Sequence, residues 1–146
     1  MSTAIRTMSI TDYDAVLRLM QETPGVSVRD ADSREATERY LARNPGLSFV
    51  ASAPDGRLLG CIMSGHDGRR GYLQHLVVRP EQRRQGIANR LVEHCLAALA
   101  ALGIQKSHVD VFRSNELAQA YWASQGWLRR DDLHRFSLVR GGSENA

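Results

Sequence analysis

The stretch Leu76-Val77-Val78-Arg79-Pro80-Glu81-Gln82-Arg83-Arg84-Gln85-Gly86-Ile87-Ala88 runs from an apolar strand, through a basic turn with a glycine, into the start of a helix. The first turn of a helix leaves backbone N–H groups without partners and carries a partial positive charge, so it binds anions. Gly86 has no side chain to hold a phosphate away from that backbone. Arg83 and Arg84 can add charge-assisted hydrogen bonds. The chemistry these residues offer is the binding of a pyrophosphate. A solvated basic loop is the competing reading, and the strand before the turn and the long helix after it favour the phosphate site.

The elements that must position this turn can be read outward from it. Ile87, Leu91, Cys95, Leu99 and Leu102 recur every three or four residues, which predicts a long amphipathic helix from Gly86 to Leu102, closed by Gly103. Upstream, Tyr72 to Val78 reads as a strand that ends before Pro80. Leu47 to Ala53 and Leu58 to Ser64 are two apolar strands joined by Pro54-Asp55-Gly56-Arg57, a hairpin signal. Ala4 to Met8 reads as a short first strand. A first helix is opened by a capping box at Thr11 to Asp14, with Val16, Leu17 and Met20 on one face, and is stopped by Pro24-Gly25. A second helix covers Ser33 to Arg43. Beyond the long helix, Ser107 to Phe112 is a strand, Glu116 to Gln125 a helix and Leu133 to Val139 a last strand. The order β-α-α-β-β-β-α-β-α-β predicts an α/β fold in which a mixed sheet carries packed helices.

Composition narrows the class. A chain of 146 residues with 42% apolar and 24% charged residues is an ordinary globular protein of one-domain size. It is expected to form one domain over residues 1–140, with 141–146 a flexible tail. Net charge is +3, but 16 acidic residues are interspersed and no polybasic run with interleaved aromatics occurs, so a nucleic-acid partner is not expected. No apolar run approaches the ~20 residues that span a bilayer, and residues 1–9 do not resemble a signal sequence. Cys61 and Cys95 follow no metal or redox spacing and read as two reduced thiols, so the expected location is cytoplasmic, with no metal site.

With these elements in place, the sequence resembles the GNAT superfamily of N-acetyltransferases. That signature is Arg/Gln-x-x-Gly-x-Gly/Ala after a Leu-x-Val-x-Pro strand; Leu76, Val78, Pro80, Arg83, Gly86 and Ala88 fill those places. A second element agrees: Asn115, then a short helix and Ala120-Tyr121-Trp122-Ala123-Ser124-Gln125-Gly126-Trp127, where the family has Asn followed by Tyr-x-x-x-Gly-Phe. The resemblance covers nearly the whole chain. It implies a central, mostly antiparallel sheet of six or seven strands flanked by about four helices. It implies acetyl-CoA as co-substrate, its pyrophosphate held by the turn Arg83, Arg84, Gln85, Gly86, Ile87 and Ala88. The backbone at Leu76, Val77 and Val78 would pair with the pantetheine arm as an added strand, and the N–H near Val78 could polarise the thioester carbonyl. Asn115 would hydrogen-bond the pantetheine, and Trp122 lines the same region. The acceptor would be a primary amine on a small molecule, a peptide N-terminus or a lysine; a homodimer is a family-level expectation.

Amine acetylation needs the ammonium, near pKa ~10.4 for a lysine, to lose a proton, the tetrahedral oxyanion to be held, and the thiolate to leave. The family commonly uses the Tyr of Tyr-x-x-x-Gly-Phe as acid. Here the count from Gly126 and from Asn115 lands on Trp122, whose indole is a donor but not a practical acid. Tyr121, one residue away, points about 100° around the helix, so either Tyr121 acts or the thiolate leaves unassisted. For the base, Asp110 stands where the similar ribosomal-protein alanine acetyltransferases have a glutamate. His75, beside the cofactor strand, is the other candidate, and a chain of waters could replace either. Glu22, Asp30 and Asp32, between the first two helices, could attract a cationic amine. Two other readings stay open: a non-catalytic acyl-CoA-binding or regulatory module, and an RNA-directed acetyltransferase toxin.

Overall fold

The computed structural model describes residues 3–146. The chain divides into two compact units, one running to Val109 and the other from Asp110 to Ala146. The first unit carries β1 (Ala4–Thr7), α1 (Tyr13–Glu22), α2 (Arg34–Arg43), β2 (Phe49–Ser52), β3 (Leu58–His66), β4 (Gly71–Val78), α3 (Ile87–Ala101) and β5 (Ser107–Val109). The strands form one sheet in the order β1-β2-β3-β4-β5. The first four pair antiparallel, and β5, reached through the α3 crossover, pairs parallel to β4. This is the α/β fold expected, with five strands rather than six or seven.

The sheet is covered by helices whose spacing supplies the core. Val16, Leu19 and Met20 of α1 are buried with Val50, Cys61, Met63 and Val77 of the sheet, and Tyr40 and Leu41 of α2 pack against that cluster. α3 packs on β2, β3 and β4, burying Ile87, Leu91, Val92, Cys95 and Leu99. Gly60 is needed where α3 meets β3. A Cβ there would sit 2.8 Å from the Val77 carbonyl oxygen and 3.4 Å from Leu91. β3 is buried along eight of its nine residues, as a strand covered on both faces must be.

The cap of α1 differs from expectation. A 3-10 turn at Ile10–Asp12 precedes the helix, and the Asp12 carboxylate accepts the Ser9 N–H at 2.9 Å. The box is therefore Ser9 with Asp12, not Thr11 with Asp14. Arg6 decides the matter by pairing with Asp12 at 2.7 Å.

In the second unit, α4 (Glu116–Ser124) is capped by Asn115, whose side-chain oxygen accepts the Ala118 N–H at 3.0 Å. The strand expected over Leu133 to Val139 is absent. Phe136 and Leu138 are 94% and 87% exposed, and residues 133–139 make no backbone hydrogen bond among the described residues. Alternating apolar residues suit a strand, but a strand exists only where a neighbour supplies its ladder. β5 likewise stops at Val109, short of the expected Phe112, because its register with β4 runs only from Gly71↔Ser107 to Leu73↔Val109.

Candidate active site

The site is organised by an irregularity in β4. Cys61 pairs with Val77 and Met63 with Gln74, so His75 and Leu76 together face the single residue Ile62. The extra residue is a β-bulge, which bends a strand and re-aims a side chain. His75 takes a left-handed φ of 51°, a conformation that costs a non-glycine residue roughly 1–2 kcal/mol. A strong side-chain contact stands against that cost: His75 Nε2 lies 2.7 Å from Asp32 Oδ1, with both side chains largely buried.

Asp32 is itself fixed from two sides. Its Oδ2 accepts the Arg29 N–H at 2.8 Å, and its backbone carbonyl accepts the Tyr13 hydroxyl of α1 at 2.6 Å. Burial pushes its carboxyl pKa up, but the His75 hydrogen bond and the Arg29 N–H outweigh it, and the net effect is below the usual value. An ionised Asp32 can only accept, so Nε2 donates in this contact, and Nδ1 makes no hydrogen bond among the described residues. A carboxylate that holds one imidazole nitrogen so that the other can take a proton is the arrangement of an acid–base dyad.

An open groove of about 460 Å³ lies at this pair, lined by Asp32, Ala36, Arg39, Tyr40, Arg43, Gln74 and His75 among others. Ala36, Arg39, Tyr40 and Arg43 stand at i, i+3, i+4 and i+7, one face of α2. The Tyr40 hydroxyl is buried without a hydrogen bond; burial raises its pKa, with Gln74 the polar neighbour that opposes the rise. Of the three acids expected to attract a cationic acceptor, two are already engaged: Glu22 pairs with Arg79 at 3.3 Å and Asp32 with His75.

β4 then leads directly into the basic turn. Arg79 is tied back by its N–H to the Leu59 carbonyl at 2.8 Å and by its guanidinium to the Leu58 carbonyl at 2.8 Å, so it anchors the strand end. Arg84 and Gly86 have φ of 65° and 80° and turn the chain sharply into α3. Arg83, Arg84, Gln85 and Gly86 are exposed, whereas Ile87 is buried and pins the helix. Among the described residues no side chain caps this terminus and no acid stands in its first turn, so its N–H groups are open to an anion. A Cβ on Gly86 would meet nothing within 4 Å; space is left on the side a phosphate would occupy.

The remaining candidates lie in the second unit. Asp110 follows the end of β5, so strand alternation does not aim it. It is exposed and pairs with Arg135 at 2.7 Å. Trp122 is 7% exposed and packs edge-on to Tyr121 at 5.1 Å and Trp127 at 4.8 Å. Tyr121 is half-buried, and burial raises its pKa. Asn115 spends its side-chain oxygen on the α4 cap and keeps its amide N–H groups to donate. Both cysteines are buried, with thiol pKa values pushed up to about 12, which leaves no thiolate nucleophile. Among the described residues there is no cluster that could hold a metal, and no helix long and apolar enough to cross a membrane.

A basic turn that leads from a bulged strand into an open helix terminus can receive a carrier of negative charge. Comparison with known proteins gives the class of the chain. Residues 13–127 match the model of the Acetyltransferase (GNAT) family. An acetyltransferase of Photorhabdus laumondii is 34% identical over 139 residues, covering 92% of this chain and 91% of its own. One of Pectobacterium atrosepticum is 34% identical over 112 residues, covering 77% and 78%. Among solved structures, the PaiA N-acetyltransferase of Thermoplasma acidophilum in complex with coenzyme A superposes with a TM-score of 0.80 at 22% identity, covering 90% of this chain and 92% of its own. The ribosomal-protein-S18-alanine N-acetyltransferase of Escherichia coli gives 0.70 at 21%, covering 86% and 77%. The chain belongs to the GNAT acetyltransferase family, N-acetyltransferases of the acyltransferase class whose acetyl donor is acetyl-CoA.

Proposed function

We propose that the chain acetylates a primary amine by direct attack on acetyl-CoA, with His75 as general base and Asp32 as its positioning partner. The observation that carries this reading is the 2.7 Å His75–Asp32 contact at the β4 bulge. Arg83 to Ala88 and the α3 terminus would hold the pyrophosphate, and the backbone of Leu76, Val77 and Val78 the pantetheine arm. The thioester would then lie along β4, next to the imidazole. His75 Nδ1 takes the proton of the attacking ammonium. A β4 N–H near Val78 receives the developing oxyanion. The C–S bond breaks as the tetrahedral intermediate collapses; the thiolate, of thiol pKa near 8.5, is a fair leaving group without a dedicated acid, and the second proton the nitrogen sheds on becoming an amide goes to that thiolate or to solvent. Asp32 holds the ring and stabilises the imidazolium, the role a carboxylate plays in a triad.

Thiol release from acetyl-CoA over a panel of amines tests this. His75→Gln should lower kcat/KM by roughly 10²–10⁴-fold, the contribution of a general base, while acetyl-CoA still raises the melting temperature. Asp32→Asn should lower it by less and change the pH profile. Unchanged turnover in His75→Gln, with Asp110→Asn instead inactive, would transfer the base to Asp110. Binding of acetyl-CoA with no release over any amine would favour a non-catalytic acyl-CoA module.

A further inference from the structure

Resting on that reading of the base, we propose that the groove takes a primary amine bearing a carboxylate, with the amine at His75 Nδ1 and the carboxylate on Arg39 and Arg43. The two arginines share the face of α2 that lines the groove. Arg39 makes no hydrogen bond or ion pair among the described residues, although Glu35 stands four residues before it, the favourable spacing for a pair. Arg43 donates only to the His66 carbonyl, at 3.5 Å. Among the described residues Asp32 is the one acid on the wall, and both of its oxygens are engaged, by His75 and by the Arg29 N–H. The groove therefore holds two cations and no acid left over to receive a third.

That balance opposes a polycationic acceptor and suits one that brings its own negative charge. A planar guanidinium matches a carboxylate in geometry as well as charge.

The test is a set of ω-amino acids of increasing chain length, each compared with the alkylamine of the same length, on the full chain with saturating acetyl-CoA. The expected result is a preference for the amino acid at one length, roughly 10- to 100-fold in kcat/KM, carried mainly by KM. The double variant Arg39→Gln/Arg43→Gln should abolish the preference while turnover of the plain amine stays within a few-fold. Equal kcat/KM for the pair at every length, or a preference that survives in the double variant, overturns the proposal. Calorimetric titration of the same amines into the CoA-loaded His75→Gln variant separates the two readings. Selective binding of the amino acid there keeps the acceptor class even if the base proves to be another residue. No binding of any amino acid, in native protein or variant, overturns it.

Discussion

Single side chains in this protein do opposite jobs with the same chemistry. Asp12 and Asp32 are both carboxylates held against a cationic or donating partner, yet one fixes a helix entry and the other orients an imidazole. The Arg6 hydrogen bond holds the Asp12 carboxyl below its usual pKa, despite partial burial, with help from the Ser9 N–H. A depressed folded-state value means that Asp12 contributes stability above the unfolded pKa near ~3.9, and that this contribution is lost as pH falls through the lower folded value. Asp12→Asn should therefore cost about 1–2 kcal/mol at pH 7, the lower part of the range for a charged hydrogen bond because Arg6 is half exposed. Parent and variant should converge in urea unfolding near pH 2. A constant gap from pH 7 to pH 2 would show that the loss is one of packing and not of charge. Asp32 has the same sign, but in its case burial works against the ionised form and its hydrogen bonds to His75 and Arg29 prevail.

At the scale of elements, the β4–turn–α3 unit does the positioning. The bulge turns His75 toward Asp32, Arg79 fastens the strand end, and Arg84 and Gly86 supply the left-handed steps that bring the open terminus of α3 into place. Gly86 combines a φ of 80° with open space where a Cβ would stand. Acetyl-CoA at ~100 times Kd should stabilise the native chain by about 2.7 kcal/mol, a melting shift of several degrees. Gly86→Trp should abolish that shift. Its own melting temperature should fall by only a few degrees, since a side chain in the left-handed region costs roughly 1–2 kcal/mol. A full shift in the variant would remove the pyrophosphate from this turn.

At the scale of the molecule, stability in the unit that ends at Val109 comes from helices on both faces of the sheet. Leu91 is fully buried where α3 meets Gly60 on β3. Leu91→Ala should cost about 2–5 kcal/mol, lowering the melting temperature by several degrees or more, because a packed core relaxes only partly around a deletion. A loss under 1 kcal/mol would mean that α3 can re-seat on the sheet. The net charge of +3 comes almost entirely from arginine, Lys106 being the one lysine. The two arginines of the groove thus belong to a general habit of the chain, and what distinguishes Arg39 is the carboxylate it does not have.

The sequence by itself determined what depends on short-range order. The α3 period, the helix near Ser33 to Arg43, the Pro54 to Arg57 turn and the Arg83-x-x-Gly86-x-Ala88 step each lie within a few residues, and backbone sterics and helix spacing act over that range. His75 could be named as a base for its residue type, and the 36/39/40/43 face of α2 was there to be read from its spacing. Only the tertiary structure decided that His75 meets Asp32, 43 residues away, because nothing local links a bulge in one strand to the turn before another helix. It also decided against the strand at Leu133 to Val139. Alternation prepares a segment for a sheet, but its hydrogen bonds belong to a neighbour that the segment cannot specify alone.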